Sequence, residues 1–257
     1  TLMRSSAASD VYKRQVLYAG YYVLSRGDSF SQMALNILHI PVNFGCEIGH
    51  LWYIYMLIGL YLVTPIISPW LQQASKRELE GYLGLWIITT FIPYIHLVYP
   101  EVLGEAFWND TPLLYYFTGF IGYFILGYYL KRFGYPSAAL SWIILIVGFA
   151  LSAGIFCSRI DTVPTVPELE LSWGFCTVNV FLMTLGLFSL IGRLSLKGKN
   201  AACKLLSDIS VKSYGMYLAH ILFLNFYYGL FKSISDAAYV TIPLILSLIH
   251  ISEPTRP

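Results

Sequence analysis

The residues best suited to chemistry in this chain are histidines with polar neighbours at helical spacing. Ser213, Tyr217 and His220 recur at intervals of four and three residues, which puts all three on one face of an α-helix. An imidazole exchanges a proton near neutral pH, and a phenol and a hydroxyl beside it add hydrogen-bonding groups. His220 lies eight residues beyond Lys212, about 12 Å along a helix rising 1.5 Å per residue. Spacing alone leaves two readings open. The stripe either lines a substrate site or supplies hydrogen bonds between helices.

A second constellation is Cys46-Glu47-Ile48-Gly49-His50-Leu51-Trp52-Tyr53. His50 could shuttle a proton or hold an acyl or hydroxyl oxygen, with Glu47 three residues earlier orienting its ring. The alternative is an anchor cluster of the kind that Trp and Tyr form at a membrane edge. His39 and His96 have no partner pattern around them. The four cysteines, Cys46, Cys157, Cys176 and Cys203, show no CxxC or Cys/His ligand spacing, so no metal site is expected. Cys157 and Cys176 fall near the ends of consecutive apolar runs, where a disulfide is one reading and two free thiols in packed helices the other.

The elements that must position these residues follow from composition. Of 257 residues, 57% are hydrophobic and 12% charged, a balance that excludes an ordinary soluble domain. Without low-complexity or collagen-like periods, it also excludes disordered and fibrous classes. What remains is an all-α, polytopic transmembrane helix bundle. Six complete spans are predicted: Leu51–Pro69, Gly81–Tyr99, Pro112–Leu130, Ala138–Cys157, Trp173–Gly192 and Val211–Phe231. Two truncated spans flank them, Val16–Leu24 and Ala238–Ile245. Alternate loops carry nine cations (Lys76, Arg77, Lys131, Arg132, Arg193, Lys197, Lys199, Lys204, Lys212) against three (Arg26, Arg159, Lys232) on the other side. Positive charge faces the cytoplasm, so the first group is expected there. No Asp, Glu, Lys or Arg falls within the middle of a predicted span.

Both ends carry a different signature. Ser5 to Gln15 reads SSAASDVYKRQ and Leu246 to Arg256 reads LSLIHISEPTR. These resemble in-frame translations of the two transposase adapters used in sequencing-library preparation, and such segments are set aside in fold reasoning. The expectation is that 1–15 and 246–257 are adapter-encoded and that 16–245 is natural sequence truncated at both ends. His250 then belongs to an adapter, and the formal charge of +2 falls to zero.

Two stretches carry a family resemblance. Gly49-His50-Leu51-Trp52-Tyr53-Ile54-Tyr55, running through Leu60-Tyr61-Leu62 to Thr64-Pro65, resembles the HLWYL…LYL.TP segment of the acyltransferase 3 family of bacterial integral-membrane O-acyltransferases. Ser210-Val211-Lys212-Ser213-Tyr214-Gly215-Met216-Tyr217-Leu218-Ala219-His220 resembles that family's late-helix S..SYGIYL.H segment, and the surface-polysaccharide O-acyltransferase branch is the most similar. The resemblance implies that 16–245 is a membrane acyltransferase domain, part of a ten-span protein of the bacterial inner membrane. It implies transfer of an acyl group, usually acetyl, to a hydroxyl of a surface glycan or lipid-linked sugar. Acyl-CoA, usually acetyl-CoA, would be the co-substrate, with no bound cofactor. The expected partners are membrane lipid and the glycan acceptor, not nucleic acid.

On this resemblance His50 and His220 are the candidate catalytic residues. Glu47, Trp52 and Tyr53 would shape the acceptor side with His50, while Ser213 and Tyr217 join His220 on the side approached by the acyl donor. The family's key arginine and histidine, with its ISGY-type segment, belong to earlier spans that precede Val16, so the chain alone is expected to be inactive. Two other functions fit a polytopic chain. A transporter or flippase of polysaccharide precursors would use His220 and Tyr217 along a path. A membrane glycosyltransferase would need acids at an outer edge, where only Glu47 adjoins a motif.

Overall fold

The computed structural model of the chain describes residues 16, 19–21, 23, 27, 29–39, 52–104, 106, 111, 113–194, 207, 209, 210, 213, 217, 220, 224, 227 and 228. Every regular element among them is a helix, as the composition requires. The chain divides into two compact units, Thr1–Tyr55 with Lys197–Pro257, and Met56–Leu196.

In the first unit, Val16, Ala19, Gly20, Tyr21 and Val23, within the predicted Val16–Leu24 stretch, are helical. Gly27 takes a φ of 74°, a left-handed conformation that glycine adopts without a Cβ clash. Ser29 then accepts a hydrogen bond from the Gln32 backbone N–H at 3.2 Å, capping helix α1, Phe30–His39. His39 therefore ends a helix. The described residues of the predicted Val211–Phe231 span, Ser213, Tyr217, His220, Leu224, Tyr227 and Tyr228, are all helical.

Helix α2, Trp52–Gln73, continues through Pro65 and Pro69. Each proline removes an N–H from the ladder, and the residue before each turns a hydroxyl back on its own helix. Thr64 Oγ1 donates to the Leu60 carbonyl at 2.7 Å and Ser68 Oγ to the Thr64 carbonyl at 2.6 Å. At the C-terminal end, Arg132 Nη1 donates to the carbonyls of Leu71 at 2.9 Å and Ala74 at 3.2 Å. A cation thus satisfies carbonyls that a helix end leaves without partners.

Helix α3, Lys76–Thr89, begins with a capping box: Ser75 Oγ accepts from the Glu78 N–H, and the Ser75 N–H donates to the Glu78 carboxylate at 2.7 Å. The chain breaks at Thr90 and Phe91 before the short helix α4, Ile92–Ile95. Pro93 explains the break, because in an unbroken helix its ring would collide with the Thr89 carbonyl. Thr90 Oγ1 donates to the Ile87 carbonyl at 2.6 Å, closing the turn. A 3-10 turn at Tyr115–Phe117 and Gly119 at φ 82° precede helix α5, Ile121–Phe133. Ser137 caps helix α6, Ala138–Arg159. The short helix α7, Val166–Leu169, and the 3-10 turn Glu170–Trp173 lead into helix α8, Val178–Gly192. Arg193, just past α8, donates to the carbonyls of Tyr135 and Pro136.

The core of the second unit forms where α3, α5 and α8 meet the end of α2. Trp86 is fully buried among Leu79, Leu83, Ile125, Leu126, Leu130 and Phe181. Its indole N–H donates to the Gly119 carbonyl at 3.0 Å, and its ring meets Tyr123 and Phe181 edge-on. Helices α6 and α8 approach through small residues. A Cβ on Gly148 would sit 2.7 Å from the Met183 backbone nitrogen, and one on Gly186 2.7 Å from the Ser141 carbonyl oxygen. Such close approach is how membrane helices gain packing energy when lipid is as apolar as their side chains.

Among the described residues, two helices are long and apolar enough to cross a membrane, Trp52–Gln73 and Ala138–Arg159. The pair Val166–Trp173 and Val178–Gly192, bent by 42°, makes a third if taken as one span. The spans predicted at Gly81–Tyr99 and Pro112–Leu130 are each interrupted, by Pro93 and by Gly119. The last predicted stretch, Ala238–Ile245, lies outside the described residues. Cys157 and Cys176 are free thiols, the first exposed and the second half-buried, so the two do not pair in this structure.

Candidate functional site

Trp52 and Tyr53 occupy the first turn of α2, and Tyr217 and His220 lie three residues apart on a later helix of the same unit. The two segments meet. The Tyr53 ring stands edge-on to that of Tyr217, with centroids 5.7 Å apart and planes at 70°. Trp52 continues the row on one side, 6.1 Å from Tyr53 at 88°. His220 continues it on the other, 5.9 Å from Tyr217 at 34°. Edge-to-face contact sets the positive rim of one ring against the negative face of the next, an arrangement that fixes orientation as well as burying area. Tyr53 remains 42% exposed, and Trp52, Tyr217 and His220 are half-buried.

His220 Nδ1 lies 2.7 Å from the Tyr217 carbonyl oxygen. A carbonyl only accepts, so Nδ1 carries the proton of that bond and Nε2 is the basic nitrogen of the neutral ring. Helical spacing alone creates this, since a residue three positions on places its side chain over the preceding turn. The tautomer suits a group that accepts a proton or a hydrogen bond from a hydroxyl.

Ser213, predicted on the same face, is exposed and donates to the Ser210 carbonyl at 2.8 Å. Its hydroxyl turns back on its own helix, as serine often does within helices. Glu47 and His50 lie outside the described residues. His39 ends α1, and His96 follows α4 half-buried. Among the described residues, no three His, Cys, Asp or Glu side chains come together as a metal ion would require.

A second polar cluster lies in the other unit, built from residues that carry no charge. Asn179, in the first turn of α8, is fully buried. Its Nδ2 donates to Ser152 Oγ of α6 at 2.7 Å and to the Ser172 carbonyl at 2.8 Å. The Tyr94 hydroxyl of α4 donates to Asn179 Oδ1 at 2.6 Å, with the Leu171 carbonyl 3.2 Å away. The Val178 N–H donates to the Thr90 carbonyl at 3.1 Å, so the N-terminus of α8 satisfies the backbone opened between α3 and α4. Two broken helices are thereby stitched together where no water would serve. Asn179 spends both donors and its acceptor inside the protein, and the cluster reads as a joint rather than a reaction centre. An amide within the apolar run Val178-Asn179-Val180-Phe181-Leu182 was the available signal.

A family model described as an acyltransferase domain, that of the acyltransferase 3 family, matches residues 16–251. No curated protein and no solved structure matches the chain.

Proposed function

The chain belongs to the acyltransferase 3 family, and on that premise we propose that it works as an integral-membrane O-acyltransferase that moves an acyl group, acetyl in the simplest case, from acyl-CoA to a hydroxyl of a surface glycan or lipid-linked sugar. The observation that carries the site assignment is the convergence of the two resemblance-bearing segments at Tyr53 and Tyr217, with His220 beside them.

The chemistry asks for few parts. The acceptor hydroxyl oxygen attacks the thioester carbonyl, the carbon–sulfur bond breaks, and the hydroxyl proton ends on the departing CoA thiol. An alcohol attacks slowly at neutral pH unless a positioned base takes its proton as the new bond forms. The family resemblance implies a histidine in that role. In our reading His220 offers Nε2 as the acceptor nearest the acyl donor, with Tyr217 fixing the ring and Ser213 one turn or more further along. Trp52 and Tyr53 form the wall toward the sugar, next in sequence to His50 and Glu47.

We further read the interrupted pairs, Lys76–Thr89 with Ile92–Ile95 and Tyr115–Phe117 with Ile121–Phe133, as completing one crossing each. This gives six complete spans of a polytopic bundle, in the inner membrane of a bacterium. The Asn179 joint supports that reading, because broken helices persist at membrane depth only where the protein satisfies their backbone.

Labelled acetyl-CoA tests the function directly. Membranes carrying the protein expressed from its intact gene should pass label to a glycan fraction from which mild alkali releases it, as it does an ester. Movement of sugar precursors across the membrane without label transfer would replace the proposal with transport.

A further inference from the structure

We infer that helix α1, Phe30–His39, is an interfacial helix that lays one side into the lipid of the membrane–water boundary. The ten residues are Phe-Ser-Gln-Met-Ala-Leu-Asn-Ile-Leu-His, with no Asp, Glu, Lys or Arg among them. At 100° per residue the apolar Phe30, Ala34, Leu35 and Leu38 share one broad arc, interrupted only by Ser31, whose hydroxyl pairs with that of Ser29, while Gln32, Asn36 and His39 fall opposite. Burial is arranged the wrong way for water on the first side. Asn36 is 8% exposed, whereas Phe30 is 76%, Leu35 48% and Leu38 71% exposed. Gln32 Nε2 donates to Asn36 Oδ1 at 3.2 Å, so the inward polar group is satisfied within the helix.

Length and attachment point to the bilayer surface rather than its interior. Ten residues span about 15 Å, half of what a crossing needs and in the range of interfacial segments. The helical residues before it, Val16, Ala19, Gly20, Tyr21 and Val23, belong to an apolar run, and α1 starts after the left-handed turn at Gly27 and the Ser29 cap. Six residues between Val23 and Phe30 reach at most about 20 Å when extended. The helix is therefore held close to the end of that run, where headgroups meet hydrocarbon. Three sides then match three surroundings: Asn36, Met33 and Ile37 toward protein, Phe30, Leu35 and Leu38 toward lipid, and Gln32 and His39 toward water.

Photolabelling of the unaltered protein in its membrane, with a phospholipid carrying a diazirine near the top of its acyl chain, reads this out by mass spectrometry. Label is expected on Phe30, Leu35 and Leu38 at about five times the level on Gln32 and His39, following the sidedness of an interfacial helix. Spin labels on Leu38→Cys and His39→Cys give a second reading: oxygen should reach the first more readily than a water-soluble nickel relaxant, and the reverse should hold for the second. Equal labelling around the helix, or nickel access to position 38 equal to that at 39, would overturn the inference. So would protection of Leu35 and Leu38 from both probes that disappears on dilution, since a second copy of the chain would then cover the face.

Discussion

Tyr53 and Tyr217, far apart in the sequence, pack edge to face with ring centroids 5.7 Å apart. The contact joins the start of α2 to a later helical segment, and it carries His220 with it through the Tyr217 ring and carbonyl. A site assembled this way depends on both segments at once.

If the ring pair is an energetic contact, Tyr53→Leu and Tyr217→Leu should not be additive. A double-mutant cycle on thermal unfolding in detergent is expected to give a coupling of about 0.5–1.5 kcal/mol. Independent effects would remove the contact from the account.

Asn179→Leu should destabilise the second unit by about 1–3 kcal/mol, because it takes the amide's hydrogen bonds from Ser152 Oγ and the Ser172 carbonyl and leaves the Tyr94 hydroxyl only the Leu171 carbonyl. Ser152→Ala should cost less, since it withdraws one partner and Asn179 Nδ2 keeps the Ser172 carbonyl. Unfolding of each variant in detergent checks the order, and a harmless Asn179→Leu would mean the joint holds nothing.

Gly122 and Gly127 lie on the same helix and should respond oppositely to alanine. A Cβ at Gly122 would stand 2.0 Å from the buried Trp86 ring, whereas one at Gly127 meets nothing within 4 Å. Gly122→Ala should lose about 1–3 kcal/mol by overpacking, and Gly127→Ala should be neutral or gain up to about 1 kcal/mol from helix propensity. Melting temperatures of the pair decide it.

Glu78 supplies a pH dependence. The Ser75 backbone N–H, and then the Ser75 hydroxyl, hold its carboxyl below the ordinary 4.5. The folded form therefore binds its proton less readily than the unfolded one. The stabilisation is present in full above pH 4.5 and is lost as pH falls through the lower folded value. Glu78→Gln should flatten that acid limb of the unfolding profile, and an unchanged limb would assign it to other carboxyls.

How much of this was legible beforehand depends on what each kind of residue reports. The runs at Leu51–Pro69 and Ala138–Cys157 became helices Trp52–Gln73 and Ala138–Arg159, because a long apolar run has one way to satisfy its backbone in lipid. Gly81–Tyr99 looked as continuous by hydropathy, yet the helix stops at Thr89. Hydropathy does not register that Pro93 removes an N–H, or that the Thr90 carbonyl has a partner at Val178. The Ser213, Tyr217 and His220 stripe was readable from spacing, but the meeting of Tyr217 with Tyr53 was not, since only the tertiary fold brings those segments together. Asn179 carries no charge, yet an amide left unpaired in a dry interior still costs several kcal/mol, about 2–7, so its place in an apolar run was the legible sign.

The most direct test is the rate of acyl transfer from labelled acetyl-CoA to membrane glycan in the protein expressed from its intact gene, comparing His220 with His220→Ala at equal membrane abundance and equal melting temperature. The proposal expects the variant to fall by a factor of about 100, within the range for loss of a group that accepts a proton at a reacting hydroxyl. An unchanged rate would contradict the place given to His220, and with it the site built at Tyr53 and Tyr217.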